Sequence, residues 1–485
     1  MSTGGAVTSI LVSSDFDAIR AEFNLRPYAD TDRFPEAAEA EARDIASRHH
    51  SAVEVEDATN LPFVTIDPAG AKDLDQAMFL ERVGDGFRVH YAIADLGSVI
   101  RPGGAVDIEA RRRGQTVYLP DSRVPLHPPV LSEGALSLLP DQLRRAAVWT
   151  IDVDAAGVPT STTVRRAMVK SIAQLDYDGV QASFDTGNPH ASVEALADLG
   201  RLRLKLRISL GAIELGLPEQ EIVADGDDWR IHLRTRTDVD NWNAEISLLT
   251  GMCAAELMLE AGIGVLRTLR KPEDDALSRF KRAARALGVP WPEGSTAGEI
   301  LISLDPGLPV SQALMSDATG LLRGAGYVSF DGAPPKARDH AGIGGPYAHV
   351  TAPLRRLADR FGIEVSLAIC AGTPVPEGVK QALPLIPDIM SESDHFAAKI
   401  DRTCLDQVEA WMLDGKVGST FEAFVLRVND GRKSGEVVLN NPPVIADCLG
   451  ANLPEGKKVQ VKLTAVDTTS RSVKFELAES PEALV

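Results

Sequence analysis

One stretch constrains this chain more than any other. Thr65 to Gln76 reads TIDPAGAKDLDQ and places three carboxylates, Asp67, Asp73 and Asp75, within nine residues. It follows a short apolar run, Phe63-Val64-Thr65-Ile66, so it begins at the end of a strand. Pro68 and Gly70 let the segment curl back on itself. Two readings are open. The acids form a solvated turn, or three hard oxygen donors converge on one point and suit Mg²⁺ or Mn²⁺. A metal held in that way can generate hydroxide and stabilise both oxygens of an in-line phosphoryl displacement.

Composition narrows the partners. The chain has 485 residues, enough for about two to four domains. Fifty basic residues against sixty-nine acidic ones give a net charge of −19, which excludes a uniformly basic coat for nucleic acid. A polyanion must be held by local basic clusters or by metal ions. Cys253, Cys370, Cys404 and Cys448 are scattered, with no C-x-x-C pair. A disulfide framework or zinc site is not expected, and a reducing cytoplasm fits. No apolar run approaches the ~18 residues of a membrane span. Met1 to Val12 lacks the pattern of a signal peptide.

The texture of the chain changes twice. Residues 1–58 carry five Arg, no Lys and twelve acids, with helical stretches at Asp15–Leu25 and Phe34–His49. They read as a small acidic helical module. Residues 59–415 mix strand-like runs, such as Phe87–Ala94 and Ala147–Val153, with many helical segments. The helical ones include Ala105–Arg113, Ala191–Leu215, Asn243–Leu269, Ser311–Arg323, Thr351–Phe361 and Asp394–Leu413. Residues 416–485 hold short β-like runs separated by Gly, Asn and Asp: Phe421–Val428, Gly435–Asn440, Val459–Val466 and Ser472–Leu477. They read as a small barrel, so the fold class is α+β with a terminal β-barrel.

A second constellation spans His340 to Asp359, HAGIGGPYAHVTAPLRRLAD. A Gly-rich turn leads to a helix that Pro353 can start, with Arg355 and Arg356 in its first turns. Cations there oppose the helix dipole and need an anionic partner or open water. Exposed N–H groups with an arginine fork would cradle phosphate. The alternative is a surface arginine pair bound to Asp359 or nearby acids. The basic run Arg201–Arg207 (RLRLKLR) reads either as a phosphate contact or as a half-buried element with one solvated face.

Together these blocks resemble the RNase II/RNase R family, whose catalytic unit is the RNB domain. TIDPAGAKDLDQA is similar to the family's acid segment. VHYAIADL (Val89–Leu96), RRGQTVYLP (Arg112–Pro120), LHPPVLS with LSLLP, and YAHVTAPLRRLAD follow in the family's order. The residues after 417 resemble an S1 domain, an OB-type RNA-binding barrel. The resemblance implies a processive, hydrolytic 3′→5′ exoribonuclease on single-stranded RNA, releasing nucleoside 5′-monophosphates with Mg²⁺, cytoplasmic and monomeric. It implies metal ligation by Asp67, Asp73 and Asp75, with Asp75 the most critical and Gln76 at the fourth position. It places Arg355 on the scissile phosphate and Tyr118 under the 3′-terminal base. Tyr177 and Glu245 match the pair that reads the ribose, and His349, Thr351 and Arg356 belong to the same RNA-contacting motif.

The chain departs from the family pattern in four places. The fourth acid is the amide Gln76, which brings no charge. Leu405 replaces an acid, and Asp406 points to another helix face. The region near Ile222 is aliphatic where a second stacking aromatic is usual. Two cold-shock barrels usually precede the catalytic unit, whereas residues 1–58 are too few for two and read as helical. These departures keep two other functions open: a catalytically weak RNA-binding protein, and a metal phosphodiesterase acting on short oligoribonucleotides.

Overall fold

The computed structural model describes residues 14–25, 34–48, 55–226, 228–305, 308–429, 433–439 and 441–478. They form two compact units. One comprises 1–210, 237–270 and 325–397, and the other 211–236, 271–324 and 398–485.

A six-stranded mixed sheet builds the first unit. Its strands are β1 (Glu56–Asp57), β2 (Phe63–Ile66), β3 (Gln76–Val83), β4 (Gly86–Ala94), β7 (Leu143–Val153) and β8 (Pro159–Leu175). The hairpin strands β5 (Val117–Leu119) and β6 (Ser122–Val124) pair apart from it. The sheet order is β1-β8-β2-β3-β4-β7, and β8 also pairs with β7. The neighbours β1/β8 and β2/β8 run parallel, and the other pairs antiparallel. Strand β4 lies between β3 and β7. Its last four residues, Tyr91 to Ala94, are all fully buried, which explains its apolar run on both faces. Strand β8 is absent from the sequence-based expectation. Only a few of its residues, such as Val164, Ala167 and Val169, are buried, so Thr, Arg and Lys dilute the apolar period.

Two further helices differ from expectation. Ile263–Thr268 is a strand paired with Gly326–Asp331, not the end of the Asn243–Leu269 helix. Gly262, left-handed at φ 72°, ends the Asp238–Ala261 helix there. The helix expected from Pro353 begins at Leu357. Its amide bonds to Gly114 O, and the Thr116 amide bonds to Arg355 O, so Arg355 and Arg356 pair with an adjacent segment instead of entering a helix.

The N-terminal residues do not stand apart as an independent module. The helices α1 (Asp17–Glu22) and α2 (Glu36–Arg48) lie in the first unit. Ala42 and Ile45 share a core with Leu74, Ala94, Leu96 and Leu354. Arg20, 3% exposed, bonds to Ser122 Oγ at 3.2 Å and pairs with the buried Asp121. That pair fastens α1 to the β5–β6 hairpin. His49, the expected end of the second helix, lies outside the described residues.

In the second unit, Thr420–Val428, Ser434–Leu439, Ile445–Leu449, Lys458–Asp467 and Ser472–Leu477 close a five-stranded barrel. Val425, Val437, Leu463 and Phe475 fill it. The expected barrel is present, with Ile445–Leu449 as an additional strand. The unit is larger than the expected 416–485. It includes the Glu219–Asp225/Asp228–Arg234 hairpin and the helices of 271–324. Leu405 and Asp406 fall in this unit, and Asp406 pairs with Arg402 at 2.7 Å.

Arg20→Ala removes the guanidinium that faces a buried carboxylate. We expect a loss of about 3 kcal/mol, seen as a lower Tm. An unchanged Tm would show that the pair does not hold α1 in place.

Candidate active site

The acid segment is a loop between the ends of two paired strands. Asp67 follows β2, and its amide bonds to Leu175 O at the end of β8. Asp75 precedes β3, and its carbonyl accepts from the Ala94 amide at 2.9 Å. Gly70, at φ 82°, makes the reversal between them. Ser137 then clips the loop: its hydroxyl donates to Lys72 O at 2.6 Å and accepts from the Leu74 amide at 2.9 Å.

Asp75 ties this loop to the arginine segment. Its Oδ1 accepts from the Leu354 amide at 2.7 Å, and its Oδ2 lies 3.7 Å from Arg355 Nε. Asp75 is 4% exposed, whereas the Arg355 side chain is 45% exposed. The arginine is thus open to solvent while resting on a buried acid. Burial pushes the Asp75 carboxyl well above the usual carboxylate range, with Arg355 pulling the other way. Burial, followed by the neighbouring Asp73, pushes Asp67 up to about 7.

The three acids do not converge on a single point. Among the described residues, no three His, Cys, Asp or Glu side chains form a ready metal-ligand group. Asp73 accepts from Arg123 at 2.7 Å, and Arg123 also pairs with Glu133 at 3.0 Å. The donor chemistry still fits a hard divalent cation. Asp67 and Asp75 are desolvated oxygen donors whose high proton affinity marks unmet negative charge. Asp67 and Asp75 would hold such an ion, whereas Asp73, expected as a further ligand, is already paired with Arg123.

Gln76 has other partners. Its Oε1 accepts from the Tyr91 hydroxyl and from Ser247 Oγ (3.2 Å), and those hydroxyls meet at 2.8 Å. The amide oxygen expected among the metal donors is therefore engaged within the fold. Tyr177 lies beside Asp67. Burial, then Asp67, pushes its hydroxyl up to about 12, and that oxygen accepts from Asn243 Nδ2 at 3.1 Å. Asn243 and Ser247 were not anticipated as site residues. They lie four apart on the Asp238–Ala261 helix, so they share its site-facing side.

Four expected RNA contacts are turned inward. Glu245, 2% exposed, receives the Arg207 guanidinium on both oxygens, at 2.9 Å each from Nε. At two residues from Asn243 and from Ser247 it lies on another helix face. Arg356 makes two 2.9 Å bonds to Asp359, the partner of the alternative reading, but Asp359 is buried, so the pair is internal and not on the surface. Thr351 is 3% exposed. The His349 ring packs edge-on between Tyr327 and Tyr347, with Nδ1 2.6 Å from the Tyr327 hydroxyl. Tyr118 is different. It is 44% exposed on the β5–β6 hairpin, while burial, then Asp73, pushes its hydroxyl up to about 12. The same hairpin carries Arg123.

Comparison with known proteins accords with this geometry. The RNB domain model matches residues 55–361. The chain belongs to the RNB-domain family. The model of the RNase II-type exonuclease C-terminal S1 domain matches residues 419–478. Ribonuclease R of Escherichia coli (strain K12) is 28% identical over 476 residues, covering 88% of this chain and 58% of that protein. The chain thus spans little more than half the length of that relative. Ribonuclease R of Chlamydia muridarum (strain MoPn / Nigg) is 26% identical, covering 97% of this chain and 70% of the relative. The structure of Mycoplasma genitalium RNase R in complex with ribose methylated single-stranded RNA superposes with a TM-score of 0.83 at 20% identity. It covers 98% of this chain and 79% of that one.

The raised Asp67 carboxyl has a consequence for stability. Between its ordinary value near 3.8 and about 7, the folded chain binds the proton that the unfolded chain releases. Stability contributed at this position therefore falls as pH rises through that window. Asp67→Asn should stabilise the fold at about pH 8 by on the order of 2 kcal/mol after discounting for partial exposure, seen as a higher Tm, and give no gain near pH 4. An equal shift at both pH values would contradict the assignment.

Proposed function

We propose that this RNB-family chain is a hydrolytic, processive 3′→5′ exoribonuclease that degrades single-stranded RNA to nucleoside 5′-monophosphates. One observation carries the reading. The exposed Arg355 guanidinium stands on the buried Asp75, at a site shared with the exposed ring of Tyr118.

The chemistry follows from those residues. Water attacks the phosphorus of the 3′-terminal phosphodiester. The bond to the O3′ of the preceding nucleotide breaks, and the phosphate leaves on the released nucleotide. Arg355 faces the non-bridging oxygens, where negative charge develops. Tyr118 offers a face on which the 3′-terminal base stacks, whatever that base is. Tyr177 keeps its proton near neutral pH and can donate it to a ribose hydroxyl, a contact that DNA lacks at the 2′ position. A bound Mg²⁺, with Mn²⁺ as a substitute, would lower the pKa of the attacking water and offset phosphate charge. We further infer a cytoplasmic enzyme that acts as a single chain. Free cysteines fit a reducing compartment.

A second reading is an RNA-binding protein with little turnover. The amide at position 76, held by Tyr91 and Ser247, favours it. A time course on 5′-labelled RNA of ~30 nucleotides, resolving every product length, separates the two. The enzyme yields mononucleotides and a short 5′ end-product, EDTA abolishes both, and Arg355→Ala lowers kcat by about 10²–10³-fold. Asp75→Asn should remove turnover while RNA affinity stays. Intact RNA that still binds the wild type in Mg²⁺ and in Mn²⁺ would establish the binder.

A further inference from the structure

The hairpin that carries Tyr118 is small. Strands β5 and β6 have three residues each and pair with each other, apart from the large sheet. Tyr118 lies directly opposite Arg123 in this ladder, so the two share a face. A two-stranded ribbon of this size is not stable by itself. The direction in which the half-exposed Tyr118 ring points therefore depends on what fastens the ribbon to the rest of the unit.

The turn is fastened by an arginine from far away in the chain. Leu119 pairs with Ser122, so Pro120 and Asp121 make the turn. Arg20 reaches it from α1, 101 residues earlier. Its Nη2 bonds to Ser122 Oγ at 3.2 Å and pairs with Asp121, while its Nη1 bonds to Asp17 at 2.8 Å. Ser122 Oγ in turn donates to Asp121 Oδ1 at 3.1 Å. Arg20 and Asp121 are each 3% exposed, so the buried carboxylate needs its cation in place. A planar guanidinium on a carboxylate and a hydroxyl fixes direction as well as distance. The exit of the hairpin is held from the same side of the sequence. Arg113 donates to Pro125 O at 2.9 Å, and its guanidinium lies 3.8 Å from the centre of the Phe34 ring.

We propose that Arg20 is a positioning residue for base stacking: through Asp121 and Ser122 it sets the hairpin so that Tyr118 meets the 3′-terminal base. The inference rests on the reading of Tyr118 as the ring that takes that base. A contact that only fastened α1 has no need to meet the turn of this hairpin. Arg20 binds the two residues that lead from the strand of Tyr118 into the strand of Arg123.

The test uses the full chain and a single-stranded RNA of ~8 nucleotides with 2-aminopurine at its 3′ end, bound in EDTA. Stacking on an aromatic ring quenches this base, and the signal needs no cleavage. Tyr118→Ala should remove the quench and weaken binding about tenfold. Arg20→Ala, measured well below its Tm, should lose more than half of the quench and weaken binding by about threefold or more. In the Y118A background R20A should change affinity by less than about twofold, because the route through the ring is already gone. Arg20→Lys keeps the charge but not the fork, so it should fall between R20A and the wild type, and it replaces R20A if that variant does not fold. Wild-type quench and affinity in the folded Arg20 variant would overturn the proposal. So would equal losses from that variant with and without the Tyr118 ring, which would leave Arg20 a structural role only. If Y118A itself keeps the wild-type quench, the stacking reading of Tyr118 fails, and the positioning role falls with it.

Discussion

A buried carboxylate holds this site together. Asp75 accepts the Leu354 amide across 279 residues of chain and sits beneath Arg355. Its burial raises the energy of the charged form, and only the amide and the guanidinium offset that. Both segments must therefore be in place together. Each is fixed by a different part of the sheet unit: Ser137 clips the acid loop, and residues 114–116 hold Arg355 and Arg356 by backbone pairing. Segment 114–116 leads directly into the hairpin of Tyr118, so the arginine and the stacking ring share one support.

Neighbouring residues of the same type do different work here. Arg356 is spent on Asp359, a rigid internal pair that leaves Arg355 as the arginine open to a ligand. Asp73 is balanced by Arg123, whereas Asp67 and Asp75 remain short of positive charge. Desolvated acids beside an exposed guanidinium favour a cation and a phosphate group together, because each relieves charge that the other leaves. Gln76 marks the boundary of this region. Its oxygen serves Tyr91 and Ser247, so the polar edge of the helix is satisfied without a fourth charge.

Much of this was legible in the sequence, because it lies in local patterns. The acid segment, the strand Phe87–Ala94 and the alternating barrel strands need only a few adjacent residues to declare themselves. Arg355 and Tyr118 stood in dense motifs. Positions that depend on helix face were less accessible. Glu245 lies two residues from Asn243 and from Ser247, and that rotation turns it onto Arg207. Packing between distant segments was harder still. Apolar residues of 271–324 pack within the barrel's unit, and those of 34–48 pack against Leu74 and Leu354, through contacts between residues far apart in the chain. Strand β8 hides because basic and hydroxyl side chains occupy most of its length.

A crystal structure of the Asp75→Asn variant with a short single-stranded RNA tests the central claim most directly. The account predicts the 3′-terminal phosphodiester beside Arg355 and residue 75, with the last base against the Tyr118 ring. RNA bound with its 3′ end away from Arg355, or with its 5′ end in that place, would contradict it.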